Sequence, residues 1–281
     1  MSDGRLRVGL IGDPVAHSIS PAMQQPAFDA LGIPATFELW HTLAADLPAR
    51  IASLRTPDVL GANVTVPHKL GVMDHIDEVS PLARRAGAVN VIVHRDGRLS
   101  GENTDVHGFA VSLEEVCPHA RFRPALILGA GGAARAVVLA LEAMGLESIA
   151  LANRSAERAA ALAADLAPTP LRLVGTDERS LVPELRRAAI LVNATSLGWH
   201  RGETPLPMEL LALLPPNALV VDLTYRDTDL LEAARTRGLA TLDGLAMLVH
   251  QGARAFALWT GREAPVSVMM DAARRARAAR A

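Results

Sequence analysis

Five apolar runs in the second half of the chain constrain its fold more than any other feature: "PALILG" opening the stretch 124–145, "SIALANR" (148–154), "LRLVG" (171–175), "AAILVNAT" (188–195) and "ALVVDLT" (218–224). Each is short enough for a strand, and helical stretches separate them. A strand with one wet face alternates apolar and polar residues, whereas a strand buried on both faces reads as an unbroken apolar run. Runs of this second kind, separated by helices, predict a parallel sheet covered on both sides, an α/β architecture.

The first half follows a related plan. "LRVGLIG" (6–12), "ATFELW" (35–40) and "VLGANVTV" (59–66) read as strands, the last ending at Pro67. "SPAMQQPAFDALG" (20–32), with Ser20 at the cap and Pro21 in the first turn, and "AADLPARIASL" (44–54) read as helices. "AVNVIV" and "RLSGEN" form a hairpin around Asp96–Gly97. The segments 244–261 and 265–280 are helical. No repeat or low-complexity linker interrupts the pattern. It predicts two α/β domains dividing near 105–110, residues 1–105 plus 244–281 and residues 106–243, with the final helices free to pack back on the first.

A chain of 281 residues can bury sizeable cores. Hydrophobic residues make up 50% but aromatics only 3%, so those cores are built from Ala, Leu and Val. The net charge of −2 gives no electrostatic reason to expect nucleic acid or an anionic membrane as partner. The basic "RRARAAR" near the C-terminus is more cheaply explained as a solvated helix face. The single cysteine, Cys117, cannot form an internal disulfide, which fits a reducing cytoplasm. The N-terminus is too polar for a signal peptide, and no apolar run spans a bilayer. The nine histidines show no metal-ligand spacing, so no metal is expected.

"LILGAGGAARA" places Gly129, Ala130, Gly131, Gly132 and Ala133 between a strand and a helix. Glycines there allow a tight turn and let backbone approach a pyrophosphate, which sits on the helix N-terminus. The third glycine of GxGxxG is replaced by Ala134. A plain tight turn is the competing reading, but the strand before and helix after favour a dinucleotide. After the next strand comes "NRSAER". No carboxylate appears there until Glu157, where NAD binders place one for the ribose hydroxyls. Asn153, Arg154, Ser155 and Arg158 suit a 2′-phosphate instead, so NADP is the expected cofactor. A solvated helix start carrying two arginines is the alternative.

Rare residues cluster at strand ends. Asn63, Asn90, Asn103, Asn153 and Asn193 lie at or just after predicted strands, and only Asn217 sits in an ordinary loop. Ligands of open α/β sheets bind at the carboxyl ends of strands. Ser18 and Ser20 of "HSISP" open a helix, where hydroxyls and free N–H groups can hold a carboxylate; a simple cap by Ser20 leaves Ser18 unexplained. Lys69, closing "NVTVPHK", is the only lysine among 28 basic residues. Arginine stays protonated at working pH, whereas a partly desolvated lysine can give a proton and take it back. Asp105, ending "GENTD", is an available partner for an acid–base pair. Composition alone does not decide between that pair and a plain salt bridge.

Together the motifs "HSISP", "NVTVPHK", "GAVN", "GENTD", "GAGGAARA", "NRSAER", "NATSLG" and "GLAMLVHQ", in this order and spacing, resemble the shikimate dehydrogenase family over nearly the whole chain. The resemblance implies an N-terminal α/β substrate domain, a Rossmann-type NADP-binding domain, and C-terminal helices returning to the first. It implies reversible, NADPH-dependent reduction of 3-dehydroshikimate to shikimate on the route to aromatic amino acids. By the same likeness Ser18 and Ser20 contact the substrate carboxylate. Asn63, Thr65, Asn90, Asp105 and Gln251 bind ring hydroxyls, with Tyr225 at the substrate edge. Lys69 and Asp105 are catalytic. Gly129 to Ala133 hold the pyrophosphate, Asn153, Arg154, Ser155 and Arg158 the adenosine phosphate, and Thr195, Leu223, Gly244 and Met247 lie near the nicotinamide.

Three departures accompany the likeness. Trp199 follows "NATSLG" where the family usually has Met, Val91 stands where Thr is common, and the loop carrying Tyr225 is shorter and lacks its proline. Two rivals remain: a quinate/shikimate dehydrogenase using NAD, and a catalytically silent NADP-binding sensor. Neither a monomer nor a homodimer is favoured.

Overall fold

The computed structural model of the chain describes residues 5–118, 123–146 and 148–280. They fold as two compact units, Met1–Gly108 with Val249–Ala281, and Phe109–Leu248.

The first unit runs β1 (Leu6–Gly12), α1 (Ser20–Ala30), β2 (Ala35–His41), α2 (Leu47–Ser53), β3 (Val59–Val64), β4 (Glu78–Val79), α3 (Pro81–Ala86), β5 (Val91–Arg95) and β6 (Arg98–Glu102). Helix α4 (Asp105–Val116) begins in it. Its strands form a mixed sheet in the order β2-β1-β3-β5-β6-β4. β1 lies parallel to β2 and β3, whereas β5 runs antiparallel to both β3 and β6. The hairpin joining β5 and β6 turns at Asp96 and Gly97, with φ of 50° and 78°, the left-handed pair that a two-residue hairpin requires. One core cluster of this unit joins Ile11, Ile51, Leu54, Val64, Ile92 and Leu99 with Trp40, and Phe28, Phe37, Phe256 and Trp259 are buried elsewhere in the unit.

In the second unit β7 (Ala125–Leu128), α5 (Gly132–Ala143), β8 (Ile149–Ala152), α6 (Ala156–Asp165), β9 (Leu171–Val174), α7 (Glu178–Arg187), β10 (Ile190–Asn193), β11 (Leu219–Asp222), α8 (Asp229–Thr236) and β12 (Ala240–Leu242) follow in turn. The sheet order is β12-β11-β10-β7-β8-β9, parallel throughout. Strands β7, β8, β10 and β11 are buried along their whole length, as unbroken apolar runs demand. β9 departs from that reading: it is the edge strand, and Arg172 and Leu173 are exposed. The short β12, at the opposite edge, carries too little apolar sequence to announce itself.

Helix α9 (Gly244–Thr260) begins in the second unit, and its Val249–Thr260 part belongs to the first together with α10 (Val266–Ala278). There the indole of Trp259 donates to the Ile92 carbonyl at 2.9 Å, and α10 packs on α1. The expected helix over 44–54 is a short 3₁₀ turn, Ala44–Asp46, leading into α2. Among the described residues no helix is long and apolar enough to cross a membrane, and no group of His, Cys, Asp and Glu could hold a metal ion.

Candidate functional site

The antiparallel step in the first sheet is what gathers its site. Asn63 at the end of β3 pairs in register with Val91 at the start of β5, and Val91 pairs with Glu102 at the end of β6. Chain segments distant in sequence, 63–69, 88–91 and 102–105, therefore emerge side by side. Asn90 occupies the centre and is buried. Its amide nitrogen donates to Asp105 Oδ1 at 2.9 Å, to Thr104 Oγ1 at 3.0 Å and to Gln251 Oε1 at 3.3 Å. Its amide oxygen accepts from the Thr104 N–H at 2.7 Å, and its carbonyl accepts from Asn63 Nδ2 at 3.3 Å. The neighbouring Asn103 accepts from the N–H groups of Asp105 and Val106, fixing the first turn of α4.

Lys69 Nζ donates to Asp105 Oδ2 at 2.7 Å. The two side chains are 27% and 13% exposed, so the pair is largely removed from water yet open on one side. The Val89 N–H donates to the Lys69 carbonyl, which anchors the lysine backbone to the same cluster. Asp105 thus has one oxygen committed to Asn90 and the other to the ammonium. The arrangement can hydrogen-bond the hydroxyls of a bound molecule and exchange a proton with one of them.

Of the residues expected to bind substrate, Asn63, Asn90, Asp105 and Gln251 share this network with Lys69. Thr65 follows β3, half-buried, its N–H donating to the Ile11 carbonyl. Ser18 and Ser20 form their own pair, Ser18 Oγ donating to Ser20 Oγ at 2.9 Å and accepting from the Ser20 N–H at 3.1 Å. Ser20 is not the helix cap. That position falls on Ile19, and no side chain caps α1. Tyr225 belongs to the second unit, where its ring meets Trp199 edge-on with centroids 5.2 Å apart. Thr104 was not among the expected residues. It is 1% exposed and its hydroxyl lies 3.4 Å from Gln251 Oε1, and only its place inside "GENTD" could have drawn notice.

In the second unit, Gly129 directly follows β7 with φ +108°, and an added Cβ would stand 2.9 Å from the Ala194 carbonyl oxygen. Ala130 follows, and Gly131 caps α5 without a side-chain bond. A Cβ at Gly131 or Gly132 would meet nothing within 4 Å, so the N–H groups of the helix start, with Ala133 behind them, front an open cradle. That space beside a helix N-terminus fits a pyrophosphate. After β8, Asn153 Nδ2 donates to the Ser155 carbonyl, and Ser155 Oγ caps α6 by accepting from the Arg158 N–H at 3.2 Å. Arg154 and Arg158 are exposed. The Ser155 hydroxyl also donates to Glu157, whose carboxyl lies below the ordinary range because its own backbone N–H and then this hydroxyl stabilise the anion.

The remaining expected cofactor residues gather where β10 and β11 end. Thr195 donates to Asn193 Oδ1 at 2.7 Å, and the Leu223 N–H donates to the Asn193 carbonyl at 3.1 Å. Gly244 packs so closely that a Cβ would stand 2.0 Å from the Leu223 carbonyl oxygen, and Met247 is half-buried one turn along α9.

Comparison with known proteins agrees along the chain. Residues 10–92 match the shikimate dehydrogenase substrate binding domain, residues 113–224 the shikimate / quinate 5-dehydrogenase family, and residues 244–274 the shikimate 5'-dehydrogenase C-terminal domain. The shikimate dehydrogenase (NADP(+)) of Symbiobacterium thermophilum is 48% identical over 276 residues, covering 96% of this chain and 94% of that protein. The crystal structure of shikimate 5-dehydrogenase from Thermus thermophilus, in complex with NADP(H) and shikimate, superposes with a TM-score of 0.87 at 43% identity, covering 96% of this chain and 99% of that one. A quinate dehydrogenase from Corynebacterium glutamicum in complex with NAD has the same TM-score at 34% identity, covering 95% and 98%. The chain belongs to the shikimate dehydrogenase family.

Proposed function

We propose that the protein is an NADP-dependent shikimate dehydrogenase, an oxidoreductase that reversibly reduces 3-dehydroshikimate to shikimate in aromatic amino acid biosynthesis. The observation that carries this reading is the only lysine of the chain held at 2.7 Å on Asp105, inside a network of neutral hydrogen-bonding side chains. Residues 1–105 with 244–281 serve the substrate, and residues 106–243 serve the cofactor. NADPH, when bound, supplies the hydride. Gly129 to Ala133 would hold its pyrophosphate, Asn153, Arg154, Ser155 and Arg158 its adenosine phosphate, and Thr195, Leu223, Gly244 and Met247 its nicotinamide end.

Ser18 and Ser20 bind the substrate carboxylate, while Asn63, Thr65, Asn90 and Gln251 orient its hydroxyls, with Tyr225 at its edge. As the C3 carbonyl carbon gains hydride, its oxygen gains negative charge. The Lys69 ammonium donates a proton to that oxygen, giving the alcohol and a neutral amine. Asp105 orients the ammonium and accepts from the neighbouring hydroxyl. Solvent then reprotonates Lys69, and in the reverse direction the neutral amine takes the hydroxyl proton. Positioned proton transfer of this kind contributes about 10²–10⁴ in rate.

The substrate is a small molecule, the compartment a reducing cytoplasm, and the assembly a monomer or homodimer. Steady-state oxidation of shikimate and of quinate, each with NADP and with NAD, tests the reading. Shikimate with NADP should give the highest kcat/KM. A preference for quinate with NAD would move the protein to the quinate branch of the family, and no oxidation with any pair would leave a silent binding protein.

A further inference from the structure

The second unit buries a carboxylate that the proposed chemistry does not use. Asp222, the last residue of β11, has no solvent exposure. Its Oδ1 accepts from the Thr224 N–H at 3.0 Å and the Thr224 hydroxyl at 2.7 Å; its Oδ2 accepts from Asn193 Nδ2 at 3.1 Å and the Thr228 hydroxyl at 2.9 Å. All four donors are neutral. Burying an anion without a cation is unfavourable, and such a group persists where its full acceptor capacity is needed.

What that capacity holds is specific. Asn193 Nδ2 donates to Asp222 Oδ2 at 3.1 Å and to the Leu197 carbonyl at 3.0 Å. These two bonds together orient the amide so that its Oδ1 faces Thr195 and accepts from the Thr195 N–H at 3.1 Å and hydroxyl at 2.7 Å. Thr195 Oγ1 in turn accepts from the Leu197 N–H at 3.1 Å. On the other oxygen, the paired bonds from Thr224 hold the turn 222–224, which contains Leu223. The Thr224 carbonyl accepts from the Gly244 N–H at 3.0 Å, which sets the start of α9. Thr195, Leu223 and Gly244, three residues assigned to the nicotinamide end, are therefore each one or two hydrogen bonds from a single carboxylate.

We infer that Asp222 is a positioning residue that pre-organises the nicotinamide end of the cofactor site, an inference that rests on the NADP reading above. An asparagine at this position would offer one acceptor oxygen and turn an NH₂ group toward two of the four donors. With the NH₂ toward Asn193, that amide keeps only the Leu197 carbonyl as acceptor and meets a donor in place of Asp222 Oδ2, so the amide that holds Thr195 is less firmly oriented. With the NH₂ toward Thr224, the turn holding Leu223 loses its acceptor.

The test compares wild type with Asp222→Asn and with Thr228→Val, which at nearly constant volume removes one donor to Asp222 together with the cap that the Thr228 hydroxyl gives the Leu231 N–H of α8. NADP⁺ and adenosine 2′,5′-bisphosphate, the fragment lacking the nicotinamide, are titrated calorimetrically into each protein. Amide hydrogen exchange is followed at Thr195, Leu197 and Thr224 without ligand. Asp222→Asn should weaken NADP⁺ roughly tenfold or more while leaving the fragment within twofold, with faster exchange at those amides; Thr228→Val should shift NADP⁺ the same way, by a few-fold. Equal weakening of NADP⁺ and the fragment would show a general structural role and overturn the inference, as would NADP⁺ affinity within twofold of wild type in both variants. Should Asp222→Asn fail to fold, Thr228→Val decides alone, unchanged affinity and exchange overturning it. Wild type that binds no NADP⁺ would sink the functional reading and this inference together, whereas unchanged variants sink this inference only.

Discussion

Lys69 and Asp105, 36 residues apart in sequence, meet at 2.7 Å because the hairpin of β5 and β6 returns the chain to the carboxyl end of β3. The carboxylate is not free to wander, since Asn90 holds its other oxygen at 2.9 Å. An ammonium presented this way has a fixed direction and an open side. Lys69→Arg keeps the charge and the contact with Asp105 but cannot release a proton at working pH. It should lower kcat about 10²–10⁴-fold, with a smaller change in the KM for shikimate, in a stopped assay of NADP reduction. Turnover near wild type would remove the lysine from the chemistry.

The start of α6 carries a second prediction, in two opposed directions. A charge-assisted hydrogen bond is worth about 1.5–3 kcal/mol, a tenfold effect or more. Arg154→Ala should therefore raise the KM for NADPH about tenfold and leave that for NADH nearly unchanged. Glu157 places a carboxylate at this helix start, held anionic by its own backbone N–H and by Ser155. A 2′-phosphate docking there meets like charge, so Glu157→Gln should lower the KM for NADPH. Parallel shifts for the two cofactors in either variant would contradict the assignment of this loop.

Much of this was readable in the residues. The four buried strands of the second sheet follow directly from their apolar runs, because a parallel sheet covered on both faces leaves polar residues such as Asn193 and Asp222 only at the strand ends. Lys69 announced itself by rarity, a signal that needs no geometry. Other features depended on the tertiary fold. β9 carries Arg172 inside its run where β7 and β8 are wholly apolar, and its place at the sheet edge exposes Leu173 as well. Ser20 looks like a helix cap, but the chain enters α1 one residue earlier, which leaves its hydroxyl to Ser18. Thr104 and Asp222 are ordinary polar residues in sequence. Their roles depend on partners distant in sequence, Gln251 for one and Asn193 for the other, which no local pattern encodes.

Acid stability follows from an ion pair away from the site. The Arg7 guanidinium donates to both oxygens of Glu38 at 2.9 Å, and Trp40 Nε1 adds a bond at 2.7 Å. The hydrogen bond from Arg7 outweighs the opposing effect of burial and holds the Glu38 carboxyl at about 2, against an ordinary 4.5. A depressed carboxyl binds its proton less readily in the native state than in the unfolded chain. Its stabilisation is complete above the unfolded value and is lost as pH falls from 4.5 through about 2. The Glu38 side chain is 35% exposed, so solvent screening limits the pair to about 1 kcal/mol or less. The melting temperature of Arg7→Met should lie below that of wild type at neutral pH, and the gap should close across that acid window. A gap that stays constant would assign the loss to packing on Trp40 instead.

Trp199 supplies a prediction with its own optical signal. Of the three tryptophans, Trp40 and Trp259 are 6% and 1% exposed, whereas Trp199 is 36% exposed. It lies beyond Thr195 on the segment after β10, edge-on to Tyr225, with the Arg226 guanidinium 5.3 Å from its ring centre. An aromatic pair adds about 0.5–1.5 kcal/mol beyond area burial, and an exposed cation–π contact about 0.5–1 kcal/mol. These contacts tie the segment after β10 to the segment after β11 at their outer ends. Trp199→Met, which places there the side chain usual in the family, keeps an apolar though smaller side chain and loses both ring interactions. The emission maximum should move to the blue, since the two remaining indoles are buried. Tyr225 and Arg226 should lose order, seen as a loss of near-ultraviolet dichroism from tyrosine and a few-fold rise in KM for shikimate. An unchanged emission maximum would mean that Trp199 is buried in solution, out of reach of its exposed contacts with Tyr225 and Arg226.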